Sequence, residues 1–104
     1  MKRVIIETPY AGDIERNIKY LKACILDSLK KGEAPFASHL FYTQVLNDDI
    51  PKERELGIKA GLSWGDIADA TIVYTDHGIS NGMKLGIENA KINKRLIEYR
   101  KLYA

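Results

Sequence analysis

Ala70-Thr71-Ile72-Val73-Tyr74-Thr75, followed at once by Asp76-His77-Gly78-Ile79-Ser80-Asn81-Gly82, decides the fold. The first six residues are nearly all β-branched or aromatic, which predicts a strand buried on both faces, as in a parallel sheet. The next seven are turn residues, and a helix is expected to follow from about Met83 to Lys91. Outward from this step, Val4-Ile5-Ile6 reads as a buried first strand that stops at Thr8-Pro9, with Pro9, Ala11 and Gly12 marking a turn. Asp13 then suits the N-cap of a helix whose Ile14, Ile18, Leu21, Ile25 and Leu29 form one apolar stripe, ended by Gly32. Ala34 to Ala37 is a weak second strand, in which Pro35 either opposes deep central pairing or marks the strand's start. A helical turn at His39 to Leu46, the polar loop Asn47-Asp48-Asp49 and a second long helix from Pro51 through Leu56, Ala60 and Trp64 come next. Leu96-Ile97-Glu98-Tyr99 supplies a last strand. The order β-α-β-α-β-α-β predicts an α/β fold: a mainly parallel sheet of four to five strands flanked by helices.

The chain has 104 residues, 45% of them hydrophobic and 29% charged, so one globular domain spanning 1–104 is expected. The net charge is only +2, and basic residues occur as the dipeptides Lys30-Lys31 and Arg100-Lys101 rather than as a stripe interleaved with aromatics. A nucleic-acid polymer is therefore not an expected partner, while a small anionic ligand fits. The single cysteine, Cys24, allows no internal disulfide and suits a cytoplasmic setting. It falls in the helical apolar pattern and is expected in the core. The apolar run at residues 4–6 is too short for a signal peptide or a membrane span, so no membrane association is expected.

Gly57, Gly61 and Gly65 recur at a spacing of four, which stacks them on one helix face. Three glycines cost about 1 kcal/mol each in helix propensity relative to alanine, so something must offset them. Close packing of this helix on the sheet is the expected reason. Close approach of a partner helix or a ligand is the alternative.

Ligands of open parallel sheets sit at the carboxyl ends of the strands. Three loops belong there, residues 9–13, 37–40 and 76–82, and they are expected to converge. In the first, Tyr10 offers a ring for stacking, Gly12 allows close backbone approach, and Arg16 and Asn17 lie about one turn into the helix. In the last, Gly78, Ser80, Asn81 and Gly82 precede a helix N-terminus, an arrangement able to cradle a phosphate, carboxylate or sugar hydroxyl. The alternative is an ordinary turn with Ser80 or Asn81 as N-cap. Neither the Walker loop nor the G-x-G-x-x-G fingerprint is present. His39 is a candidate for hydrogen bonding a ligand. Neither it nor His77 has a second ligand at metal spacing, so no metal site is expected. No serine elbow or exposed cysteine points to a nucleophile.

The opening Val4 to Gly12, Pro35-Phe36-Ala37-Ser38-His39, Asn47-Asp48-Asp49-Ile50-Pro51 with Arg54 and Gly57, Trp64 to Tyr74, and Gly82-Met83-Lys84-Leu85-Gly86 occur together in that order. In this the chain resembles the nucleoside 2-deoxyribosyltransferase-like superfamily, especially its short phage and bacterial members of unassigned function. The resemblance covers nearly the whole chain and implies a Rossmann-like fold, a nucleoside or nucleotide pocket and a homo-oligomer, in the host cytoplasm if the chain is phage-encoded. In the transferases a glutamate in a G-M-E-L-G-like segment attacks the sugar. Here that register places Lys84 at the nucleophile position, and the next carboxylate, Glu88, lies one turn further on.

The resulting expectation is a binder of a nucleotide or nucleotide-derived molecule that does not turn it over, as in sequestration of a signalling nucleotide. Its ligand contacts would come from Tyr10, Gly12, Arg16, Asn17, His39, Asp76, Gly78, Ser80, Asn81, Gly82, Met83 and Lys84, with no cofactor. One alternative is an enzyme acting on an N-glycosidic bond through Glu88 or Asp76. Another is an interaction protein that assembles through its glycine-faced helix.

Overall fold

All five residues of β3 (Ala70–Tyr74) are buried, as the β-branched run requires. In the computed structural model, which describes residues 1–103, this strand pairs in parallel with β1 (Lys2–Glu7) on one side and β4 (Leu96–Arg100) on the other. Ala104, the last residue of the expected 1–104 domain, lies outside the described residues. β2 (Glu33–Phe36) pairs only with β1 and forms an edge, where the N–H that Pro35 lacks is tolerated. The sheet order is β2-β1-β3-β4 with every pair parallel, and helices flank it in a Rossmann-like α/β arrangement.

Side chains alternate across the sheet. Val4, Ile6, Ala70, Ile72 and Tyr74 face helix α1 (Ile14–Lys30) and pack with its Tyr20, Leu21 and Cys24. Val73 faces the opposite way, toward Met83 and Ile87 of helix α4 (Asn81–Ile92). The core is thus two clusters divided by the sheet.

Helix α1 is rotated from the orientation its apolar stripe predicts. Asn17, Tyr20, Leu21, Cys24 and Ser28 are buried, whereas Ile14 and Leu29 at the ends of the stripe are exposed. The buried polar side chains each have a partner. Asn17 Nδ2 donates to the carbonyls of Tyr10 and Ala11 at 2.9 and 3.1 Å, Tyr20 Oη donates to Asp76 at 2.6 Å, and Ser28 Oγ donates to Glu33 at 2.7 Å. Periodicity of apolar residues is blind to polar groups that find partners.

Helix α3 (Pro51–Trp64) uses its glycines for close packing, but not on the sheet. A methyl group on Gly61 would overlap Ser38, which opens the short helical turn α2 (Ser38–Phe41). One on Gly57 would press on Leu46 at 3.3 Å, and one on Gly65, just past the helix, would meet the Arg95 guanidinium at 2.9 Å. The glycine face is therefore contacted from within the chain, by Ser38, Leu46 and Arg95. Gly61→Ala is expected to lower stability by about 1–3 kcal/mol in urea unfolding, since Ser38 Cβ is too near the backbone to swing aside.

β4 is held by more than its ladder. Arg100 donates to both Glu33 oxygens at 2.9 Å, to Glu98 at 2.6 Å and to Tyr74 Oη at 3.2 Å. The Arg100 and Glu33 side chains are each only 11% exposed. This pair links one edge strand to the other.

Candidate functional site

The strand order reverses between β1 and β3: the chain leaves β1 to one side for β2, then returns across it to β3. A crevice opens at the carboxyl ends of strands at such a switch point. Here it is a cleft of about 420 Å³, within the range of small-molecule sites. The three loops expected to converge do so, with Thr8, Tyr10 and Ala11 from the first, Ser38 and His39 from the second, and Ser80, Asn81 and Gly82 from the third all lining it. Helix α3 closes another side with Arg54, Ile58, Gly61 and Leu62.

Glu7 lies at the floor. Strand alternation puts it on the same face as Ile5, opposite Val4 and Ile6, and both Ile5 and Glu7 line the cleft. Its carboxyl lies against Gly86 of α4, where any side chain would collide with it. Burial pushes the Glu7 carboxyl up to about 8, against the opposing charge of Arg95. Arg95 attracts the carboxyl through space but makes no hydrogen bond to it, because its guanidinium donates elsewhere. Nε donates to Thr71 Oγ1 at 2.9 Å, one terminal nitrogen to the Gly65 carbonyl at 2.7 Å and the other to Asn89 at 2.7 Å. Every fully buried side-chain polar atom among the described residues has a partner, yet no hydrogen bond reaches the Glu7 carboxyl. Its donor and acceptor capacity is open to the cleft.

The neighbouring groups are largely neutral. Burial pushes the His39 imidazole down to about 4, so it is uncharged at pH 7, with Nε2 and Thr8 Oγ1 sharing a hydrogen bond of 2.7 Å. Tyr10 sets its ring edge to face against His39 at 6.5 Å. Arg54 and Asp48, 3.9 Å apart, form a loose pair with exposed side chains. Among the described residues no group of three His, Cys, Asp or Glu is placed to hold a metal ion.

The expected contact residues divide. Tyr10, His39, Ser80, Asn81 and Gly82 line the cleft; Gly12, Arg16, Asn17, Asp76, Gly78, Met83 and Lys84 do not. Asn17 shapes the first loop by holding two of its carbonyls. Gly12 and Gly78 adopt φ of +98° and +80°, so their glycine identity serves the turns themselves. Met83 is buried in the core beneath α4, and its Sδ accepts from Ser80 N. Ser80 is the N-cap, its Oγ accepting from Met83 N at 3.3 Å.

Asp76 is occupied by the fold. Tyr20 Oη and the amides of Leu102 and Tyr103 donate to its carboxylate at 2.6, 2.9 and 3.1 Å. Burial alone would raise this carboxyl, but the three donors outweigh it and hold it below the usual carboxylate range. Lys84 and Glu88 are exposed, on a different face of α4 from the Gly82, Leu85 and Gly86 that line the cleft. The helix phase decides this, since positions 84 and 88 share a face and 82 and 86 share another.

Glu7, Arg95 and Arg54 line the cleft without having been among the expected contacts, Arg54 having entered only through the resemblance. Glu7 ends the first apolar run, where it reads as a polar stop to a strand. The available signal was its alternation with Ile5, which places it at the carboxyl edge facing away from α1. Arg95 had no local signal, because its partners come from residues 65, 71 and 89.

Residues 2–100 match a family described as a domain of unknown function (DUF7768). No curated protein matches the chain.

Proposed function

We propose that this chain, which belongs to that DUF7768 family, binds a nucleoside or nucleotide-derived small molecule in the cleft at the switch point. The observation that carries this reading is the open Glu7 carboxyl at the floor of a cleft whose rim includes the α4 N-terminus and Tyr10. A floor group able to pair with a polar edge, a ring for stacking and a helix N-terminus for phosphate or sugar oxygens make a set suited to such ligands. The resemblance to the nucleoside 2-deoxyribosyltransferase-like superfamily supports the same ligand class. In the simplest form the molecule is held and released intact, as a sequestering protein would do.

A second reading is favoured by Glu7. The lysine at the nucleophile register argued against turnover, but Lys84 faces away from the cleft while Glu7 faces into it. An enzyme acting on an N-glycosidic bond would use Glu7, rather than Glu88 or Asp76, as its carboxyl group. Self-association into a homo-oligomer is also part of the proposal, since Phe41, Val45 and Trp64 expose apolar surface that a second copy would cover. Light scattering measures that directly.

The test is thermal unfolding with a panel of nucleosides, nucleotides and cyclic dinucleotides, followed by chromatography of the mixture. A ligand at a hundredfold excess over its Kd adds about 2.7 kcal/mol, equivalent to roughly 10 °C or more in a domain of this size. Intact ligand recovered after denaturation supports binding without turnover. Free base that is lost in Glu7→Ala supports the enzyme. Unchanged melting across the panel rejects both.

A further inference from the structure

We propose that Glu7 reads its ligand as a neutral carboxylic acid, giving one hydrogen bond and accepting one, so that the part of the ligand at the cleft floor is an uncharged heterocycle edge with an acceptor beside a donor. This rests on the nucleoside-binding reading and specifies which chemistry of the ligand is recognised. The geometry supplies the reason. An ionised carboxylate at this position would be held by donors or an ion pair, and among the described residues none donates to the Glu7 carboxyl or pairs with it, while Gly86 packs against it and Ile5 and Leu85 line the cleft beside it. Helix α4 presents Gly82, Leu85 and Gly86, none of them ionisable. Arg95 attracts it through space only, since its three hydrogen bonds go to Thr71, the Gly65 carbonyl and Asn89 and none goes to Glu7. His39 is uncharged and bonded to Thr8. On the remaining side Arg54 has Asp48 beside it. Lys84 and Glu88, the other charges on α4, do not line the cleft. The raised carboxyl of Glu7 agrees with this arrangement.

A carboxylic acid presents one O–H donor and one carbonyl acceptor side by side. It therefore matches the paired edges of nucleobases such as adenine or cytosine, whereas a carboxylate accepts only and would select a cation or two adjacent donors. Glutamine is the uncharged shape mimic of the acid, with the same donor and acceptor at every pH. Leucine keeps the bulk and removes both.

The experiment measures Kd for adenosine and for cytidine by calorimetry from pH 6 to 9.5, with the wild-type protein, Glu7→Gln and Glu7→Leu, each checked for cooperative thermal unfolding. Both nucleosides stay uncharged over this range. For at least one of them, wild-type affinity is expected to fall about tenfold or more as pH rises through 8. Glu7→Gln should bind that nucleoside within about threefold of wild type at pH 7 and hold that affinity to pH 9.5, and Glu7→Leu should lose about tenfold or more at every pH. A Gln variant as weak as the Leu variant, or wild-type affinity that rises with pH, overturns the neutral-acid assignment and leaves the nucleoside reading standing. Wild-type protein that binds neither nucleoside at any pH overturns this assignment, and the nucleotide panel described above then decides the broader reading separately.

Discussion

Arg100→Ala is expected to destabilise the fold by about 3–5 kcal/mol, a large part of the stability of a domain this size. The guanidinium joins Glu33 of one edge strand to its own position on the other, and Ser28 of α1 donates to the same carboxylate. Removing Arg100 leaves Glu33 buried, charged and short of its two shortest cationic hydrogen bonds, and a stranded charge costs more than the pair contributes. The expected companion result is that Arg100→Met combined with Glu33→Leu recovers much of the loss, because no charge is then left behind. Urea unfolding measures both. A loss below about 1 kcal/mol in the single variant would count against the pair as a tie between the edges.

The pair also sets an acid-side signature. The Arg100 guanidinium beside Glu33 holds its carboxyl below the usual range. A depressed folded-state value means stability that is present above the unfolded value and lost as pH falls through the folded one. Wild-type protein should therefore lose this contribution on acidification below about pH 4.5, while Arg100→Ala, having already lost it, should show a shallower decline.

Glu7→Gln is expected to act in the opposite direction and to stabilise the protein. Burial raises the Glu7 carboxyl from 4.5 to about 8 in the folded state. Between those values the unfolded chain has released the proton and the folded chain still holds it, so stability falls as pH rises from about 4.5 to about 8 and then levels off. Each unit of such a shift corresponds to about 1.36 kcal/mol. Allowing for water reaching the carboxyl through the cleft, the expected gain in Glu7→Gln is about 1–3 kcal/mol at pH 8.5, shrinking toward zero near pH 4. The difference between variant and wild type, measured by urea unfolding at several pH values, isolates this group from Glu33, Asp27 and Asp76, whose carboxyls are lowered. A variant no more stable than wild type at pH 8.5 rejects a desolvated Glu7. A protein that keeps a group costing it stability at neutral pH has the stability–function conflict expected of a functional site.

The order of elements was legible because each rests on local signals. The β-branched run at residues 70–75, Asp13 before a helix, Gly32 after it and Pro51 at the start of another all act over a few residues. The edge position of β2 was one of two readings that Pro35 allowed, the other being that it starts the strand. Convergence of three loops on one cleft followed from the parallel order alone, and so did the inclusion of Tyr10, His39, Ser80, Asn81 and Gly82 in its lining. What went astray depended on rotation. Helix α1 turns to satisfy Asn17, Tyr20 and Ser28, and α4 turns Lys84 and Glu88 outward, because each helix takes the phase that its buried partners select.

Sequence by itself thus determined a single parallel α/β domain and the edge of the sheet at which the cleft opens, since strand type, chain order and turn chemistry are encoded within short segments. Only the tertiary structure decided which ionisable groups occupy that edge. Whether a carboxyl is a structural acceptor like Asp76 or an open acid like Glu7 depends on donors and burial contributed by residues far apart in the chain. Tyr20, Leu102 and Tyr103 meet at Asp76, while Gly86 clears space for Glu7 and Arg95 donates to Thr71, Gly65 and Asn89 instead.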